Sequence, residues 1–86
     1  MATGIDLSVI DNLINIFPNP SKGYFTIKSS KKLDLIVITN AFGQEVMVVK
    51  PKTDNALIDL TNKPKGIYIV KLRLENQDQM IKITKN

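Results

Sequence analysis

Short runs rich in Ile, Val, Leu and Thr recur along the chain, and turn-forming residues divide the runs. Their spacing is that of β-strands in a small sandwich. Asn15-Ile16-Phe17 ends at Pro18. Tyr24 to Lys28 alternates, with Phe25 and Ile27 on one face. Leu33 to Thr39 is the longest apolar run, and Leu35-Ile36-Val37-Ile38 is apolar on both sides, as in a central strand. Asn40-Ala41-Phe42-Gly43 reads as a turn, and Glu45 to Lys50 as a strand with Val46 and Val48 on one face, stopped by Pro51. Ala56 to Leu60 places Ile58 and Leu60 inward. Asn62 to Gly66 is a second turn. Ile67 to Glu75 is the cleanest strand, with Tyr68, Val70, Leu72 and Leu74 on one face and Ile67, Ile69, Lys71 and Arg73 on the other. Asn76-Gln77-Asp78 reads as a hairpin turn, and Gln79 to Thr84 returns with Ile81 and Ile83 inward.

This pattern predicts an all-β fold of about seven strands, enough for two packed antiparallel sheets. Residues 1–14 read as a linker and 15–86 as the folded domain. Ile5 to Leu13 carries the one helical spacing in the chain, but a linker or extra strand is the preferred reading there.

Composition narrows the chemistry. The 86 residues contain no Cys and no His, which removes thiolate chemistry, disulfides, the two commonest zinc ligands and the usual general base near neutral pH. Ser and Thr therefore have no His to activate them, and the four glycines are too scattered for a phosphate-binding loop. Asp54 and Asp59 are too few for a calcium cage. The expectation is no enzyme, no cofactor and no metal site. No apolar run is long enough to cross a bilayer as a helix, so no direct membrane insertion is expected. Met1 to Gly4 does not resemble the start of a secretory signal. The chain is then either a cytoplasmic protein or one piece of a longer exported one.

The net charge of +4 is uneven. Residues 1–62 balance, while residues 63–86 hold six Lys and Arg against only Glu75 and Asp78. Such a skew solubilises a strand face or steers toward an anionic partner. Nucleic acid is not the expected partner, because Tyr24 alone among the strand aromatics shares an outward face with a lysine, Lys28.

The most specific features are turns. Pro18-Asn19-Pro20 with Gly23 resembles the opening motif of type IX secretion C-terminal sorting domains. Asn40 to Val46, with Gly43, resembles their middle motif. Ile58-Asp59-Leu60-Thr61 followed by Gly66-Ile67-Tyr68 resembles the third, and Met80-Ile81-Lys82-Ile83-Thr84-Lys85-Asn86 the final basic-apolar strand. The resemblance implies an immunoglobulin-like antiparallel β-sandwich and a role as an address at the C-terminus of a larger secreted or surface cargo. The partners it implies are the outer-membrane translocon, its shuttle protein and a sortase-like peptidase.

Within that resemblance, Pro18, Asn19, Pro20, Gly23, Gly43, Gly66 and Tyr68 are expected to build the fold. Met80, Lys82, Ile83, Thr84, Lys85 and Asn86 are expected to meet the translocon. An exposed last strand offers unpaired backbone to a partner strand, or to a second copy of the domain, and Lys82 and Lys85 would steer toward an acidic receptor. Removing Ile83 to Asn86 is expected to leave much of the fold. Cleavage is expected between Ala2 and Asn12. Two other readings stay open: an immunoglobulin-like module for carbohydrate or adhesion, and a structural spacer retained on a secreted protein.

Overall fold

The structure, a computed structural model, describes residues 14–75 and 77–86. Their six strands are β1 (Ile14–Phe17), β2 (Tyr24–Asn40), β3 (Glu45–Val49), β4 (Thr53–Asp59), β5 (Gly66–Leu74) and β6 (Gln77–Lys85). All ladders are antiparallel, and the described residues hold no helix. The all-β class expected from the pattern holds. The Ile5–Leu13 segment and the Ala2–Asn12 cleavage segment lie outside the described residues. Ile14, read as linker, begins β1 and is buried.

The count falls to six because Tyr24–Lys28 and Leu33–Thr39 form one strand. Tyr24 to Asn40 contains neither Gly nor Pro, so the polar Ser29-Ser30-Lys31-Lys32 stretch has nothing in it to break an extended backbone. It bends the strand instead. From Lys28↔Asn55 to Leu33↔Thr53, β2 advances five residues while β4 retreats two, and a further shift falls between Leu33 and Leu35. Such bulges invert the parity of a strand. Phe25 and Ile27 point inward before the bend, and Ile36 and Ile38 after it.

β2 is therefore the spine of a curled sheet. Its first half pairs with β1 and β4, and its second half with β3 and β5, beyond which lies β6. The segment joining β3 to β4 bends opposite, at Lys50-Pro51-Lys52, where Lys52 takes φ 59° and donates its N–H to the Leu33 carbonyl at 2.9 Å. The inward faces enclose one core that includes Phe25, Ile27, Ile36, Ile58, Leu72 and Ile83.

Three local readings need correction. The β5–β6 turn lies between Leu74 and Gln77, so Gln77 and Asp78 are strand residues opposite Leu74 and Arg73. Glu75 turns the chain with φ 54°. In β3 a register shift opposite Ile38/Thr39 breaks the alternation. Met47 and Val49 pack on the core beside Val46, while Val48 is half exposed. Lys85 lies inward rather than on a solvated face: its parity follows Ile83, and only 9% of it is exposed.

Candidate functional site: a clasp on the last strand

The opening turn and the last strand meet. In Phe17-Pro18-Asn19-Pro20 the two prolines have no N–H to give, and both X-Pro peptides are cis. The Asn19 side chain stands in for the missing backbone. Its carboxamide oxygen accepts the Thr84 N–H at 3.0 Å, and its NH2 donates to the Lys82 carbonyl at 3.2 Å. Ser21 continues the contact as a parallel bridge to Lys85. It donates its N–H to the Thr84 carbonyl at 3.0 Å and accepts the Asn86 N–H at 2.8 Å. The outer edge of β6 over residues 82–86 is thereby closed. This corrects the expectation of a free edge there.

Behind this contact the third motif passes close to Gly23. The Gly23 carbonyl accepts the Leu60 N–H at 2.8 Å. A Cβ at Gly23 would lie 2.8 Å from both Thr61 Cα and Thr61 Cγ2, and φ is +141°. A side chain is excluded on both counts. Ser21 Oγ accepts the Gly23 N–H at 3.1 Å and donates to the Tyr24 carbonyl, fixing the turn. Asp59 Oδ1 accepts the Thr61 hydroxyl at 2.6 Å and the Thr61 N–H at 2.9 Å. These bonds, the hydroxyl first, hold the Asp59 carboxyl below the ordinary aspartate range, and the Lys85 ammonium adds a smaller pull.

Lys85 completes the clasp. Its ammonium donates to the carbonyls of Thr61, at 3.0 Å, and of Lys63. A buried ammonium is costly unless its donors are satisfied, and here two carbonyls of the Leu60–Lys63 turn satisfy it. The Tyr68 hydroxyl donates to the Pro64 carbonyl, tying the same loop to the core. Asn19, Gly23 and Tyr68 thus all take part in this contact or in the loop behind it, and Gly66 opens β5 opposite Lys85. The middle motif stands apart. Gly43 closes the β2–β3 turn, where Asn40 Oδ1 accepts the N–H groups of Phe42 and Gln44 at 2.9 and 3.0 Å.

The six residues expected to meet the translocon divide by position. Met80 and Lys82 are exposed on the outward face. Ile83 is a core residue, 1% exposed. Thr84 and Asn86 are bound through their backbones, and Lys85 is inside. Removing Ile83 to Asn86 would thus open the core and dissolve the clasp, contrary to the expectation that the fold would tolerate it. Ser21 carries little signal in the sequence. A Ser two residues before a turn Gly is a weak sign of a side chain capping that glycine's N–H, and it was the available clue.

Among the described residues, no group of three or more His, Cys, Asp or Glu side chains is placed to hold a metal ion. The clasp itself joins carbonyls, an ammonium, amides and hydroxyls, all hydrogen-bonded to one another. These features define a small all-β domain whose distinctive structure is the fastening of its last strand. The sequence profile of the secretion system C-terminal sorting domain matches residues 15–86, and the chain belongs to that family. The family is one of type IX sorting signals and not of enzymes, and a protein carrying such a signal is secreted or attached to the cell surface. No curated protein matches the chain.

Proposed function

We propose that this domain directs a covalently attached upstream cargo across the outer membrane through the type IX translocon. The shuttle protein and translocon recognise it as a folded unit, and a sortase-like peptidase then removes it. What supports this reading is the family match over residues 15–86, together with a fold in which three of the four motif groups gather on the last strand. Recognition falls on the terminal strand, with Met80 and Lys82 presented outward and Ile83, Thr84, Lys85 and Asn86 holding it in register. Cleavage falls between Ala2 and Asn12, upstream of β1. From Ile14 to Phe17 the backbone is paired with β2, whereas a peptidase needs backbone free of such pairing.

The test is a reporter carrying an ordinary export signal, with and without residues 1–86 fused behind it, in a bacterium that has the type IX machinery. The fused reporter is expected outside the cell and the unfused one in the periplasm. Mass mapping of the released reporter locates the cut. Equal retention of both would refute the proposal. Export with the domain still attached would refute the cleavage step and favour a retained module.

A further inference from the structure

Resting on the sorting reading, we infer that the domain is read by strand addition at the first half of β6, and that the added strand is an extended partner segment with an apolar side chain and, two residues along on the same face, an acidic one.

The edge of β6 is divided. Residues 82–86 are closed by Asn19 and Ser21, but Gln77 to Ile81 has no strand beyond it among the described residues. The Lys82 carbonyl and both polar groups of the Thr84 backbone face the Asn19–Ser21 side. By strand alternation, the N–H and C=O of Met80 and Asp78 face the same side, and among the described residues no loop meets them there. This is the short free edge that a partner strand can extend.

The side chains beside that edge set the chemistry. Across the outward face, Val37, Lys71 and Met80 form one cross-strand row, and Leu35, Arg73 and Asp78 the next. Together they line a groove of about 290 Å³. Arg73 is engaged by Asp78 at 2.9 Å. Lys71 and Lys82 have no ion-pair partner among the described residues. Met80 is 67% exposed. An apolar side chain opposite Met80 would cover it, and a carboxylate two residues along on the same face, opposite Lys82, would meet that ammonium, with Lys71 across β6 adding to the positive field. The other free edges differ in charge: β3 opens with Glu45, β4 carries Asp54 and Asp59, and Ile14–Phe17 of β1 carries no charged side chain.

The test is export of the reporter–domain fusion in three variants, with thermal melting of each purified domain. Lys71→Glu/Lys82→Glu reverses the charge of the face. Met80→Pro removes the edge donor while leaving the β5–β6 bonds intact. Lys22→Glu/Lys28→Glu makes the same change of net charge elsewhere. Export is expected to fall at least roughly tenfold in the first two and to stay at the wild-type level in the third. Should Met80→Pro melt, the charge pair still decides, because both side chains are exposed. Export of the charge-reversed variant at the control level would overturn the inference and leave the lysines as guards against edge aggregation. Loss by charge reversal with normal export of a folded Met80→Pro would overturn strand addition. Self-association of the domain that Lys82→Glu abolishes would assign the edge to a second copy and overturn the partner. Failure of the wild-type fusion to leave the cell would instead refute the sorting reading.

Discussion

Two glycines isolate the energetic weight of the close approach inside the clasp. Gly23 and Gly66 have nearly the same φ, +141° and +144°. They differ in surroundings: a Cβ at Gly66 meets nothing within 4 Å, whereas one at Gly23 lies 2.8 Å from Thr61 Cα. Gly66→Ala therefore carries the backbone penalty alone, about 1–3 kcal/mol. Gly23→Ala carries that penalty plus the cost of pushing a backbone segment away, about 1–3 kcal/mol more. The displacement also strains the 2.8 Å bond from the Leu60 N–H to the Gly23 carbonyl. The domain's net stability is expected to be roughly 4–10 kcal/mol, so Gly23→Ala takes away a large part of it. For so short a chain a urea slope near 1 kcal/mol/M is appropriate, and each kcal/mol moves the midpoint by about 1 M. Urea unfolding of both variants reads the difference directly, and the Leu60 amide should lose exchange protection only in Gly23→Ala. Thr61→Ser in the Gly23→Ala background should recover part of the loss, because it removes Cγ2 but not Cα. Equal midpoints for Gly23→Ala and Gly66→Ala would refute the argument from close packing.

Three further outcomes follow from the same geometry. Asn19→Ala removes both side-chain bonds to β6; since water reaches these groups, it should cost only about 0.5–1.5 kcal/mol, while the Thr84 amide exchanges faster by more than the global change explains. Tyr68→Phe leaves the Pro64 carbonyl without its donor and should lower stability by about 1 kcal/mol in urea. Asp59 and Asp78 are held below the ordinary aspartate range, by bonds from Thr61 and from Arg73 respectively. Their contributions are present above the unfolded-state value and are lost as pH falls through the lower folded values. Carboxyl titration by NMR should show both depressed, and Thr61→Val should move Asp59 part of the way back toward the ordinary range, reducing its share of the acid dependence.

What the sequence made legible was governed by local rules. The alternation from Tyr68 to Leu74 needs only the strand period, and all four inward residues are buried. Pro18, Pro51 and Gly43 mark ends because they restrict or free the backbone at that position. Two kinds of error had nonlocal causes. The polar Ser29–Lys32 stretch looks like a loop by composition, yet it is a bend within β2, held by pairing to strands far along the chain. Lys85 looks like a solvated charge by residue type, yet it is inward because the Thr61 and Lys63 carbonyls, 24 and 22 residues away, supply its partners. The motifs could be recognised one at a time, but their convergence on β6 could not, since it depends on the curl of the whole sheet.

That convergence bears on what an address made of a folded domain can say. The Asn19 bonds to Lys82 and Thr84 span 63 and 65 residues. Ordering two ends so far apart is unfavourable unless the intervening core repays the lost chain entropy. The bonds therefore exist only once β2 has curled and β5 and β6 have docked on it. An unfolded chain carries the same Met80 and Lys82, but without Lys71 beside Met80 and with residues 82–86 unpaired. A receptor that reads the cross-strand row Val37, Lys71 and Met80 thus reads a spacing set by three strands and absent from any linear peptide. Closing the last residues against Asn19 and Ser21 also shortens the bare edge of β6, which would otherwise be open to pairing along its whole length. If the domain is read by strand addition, the clasp confines that reading to a short, chemically marked stretch of a completed fold.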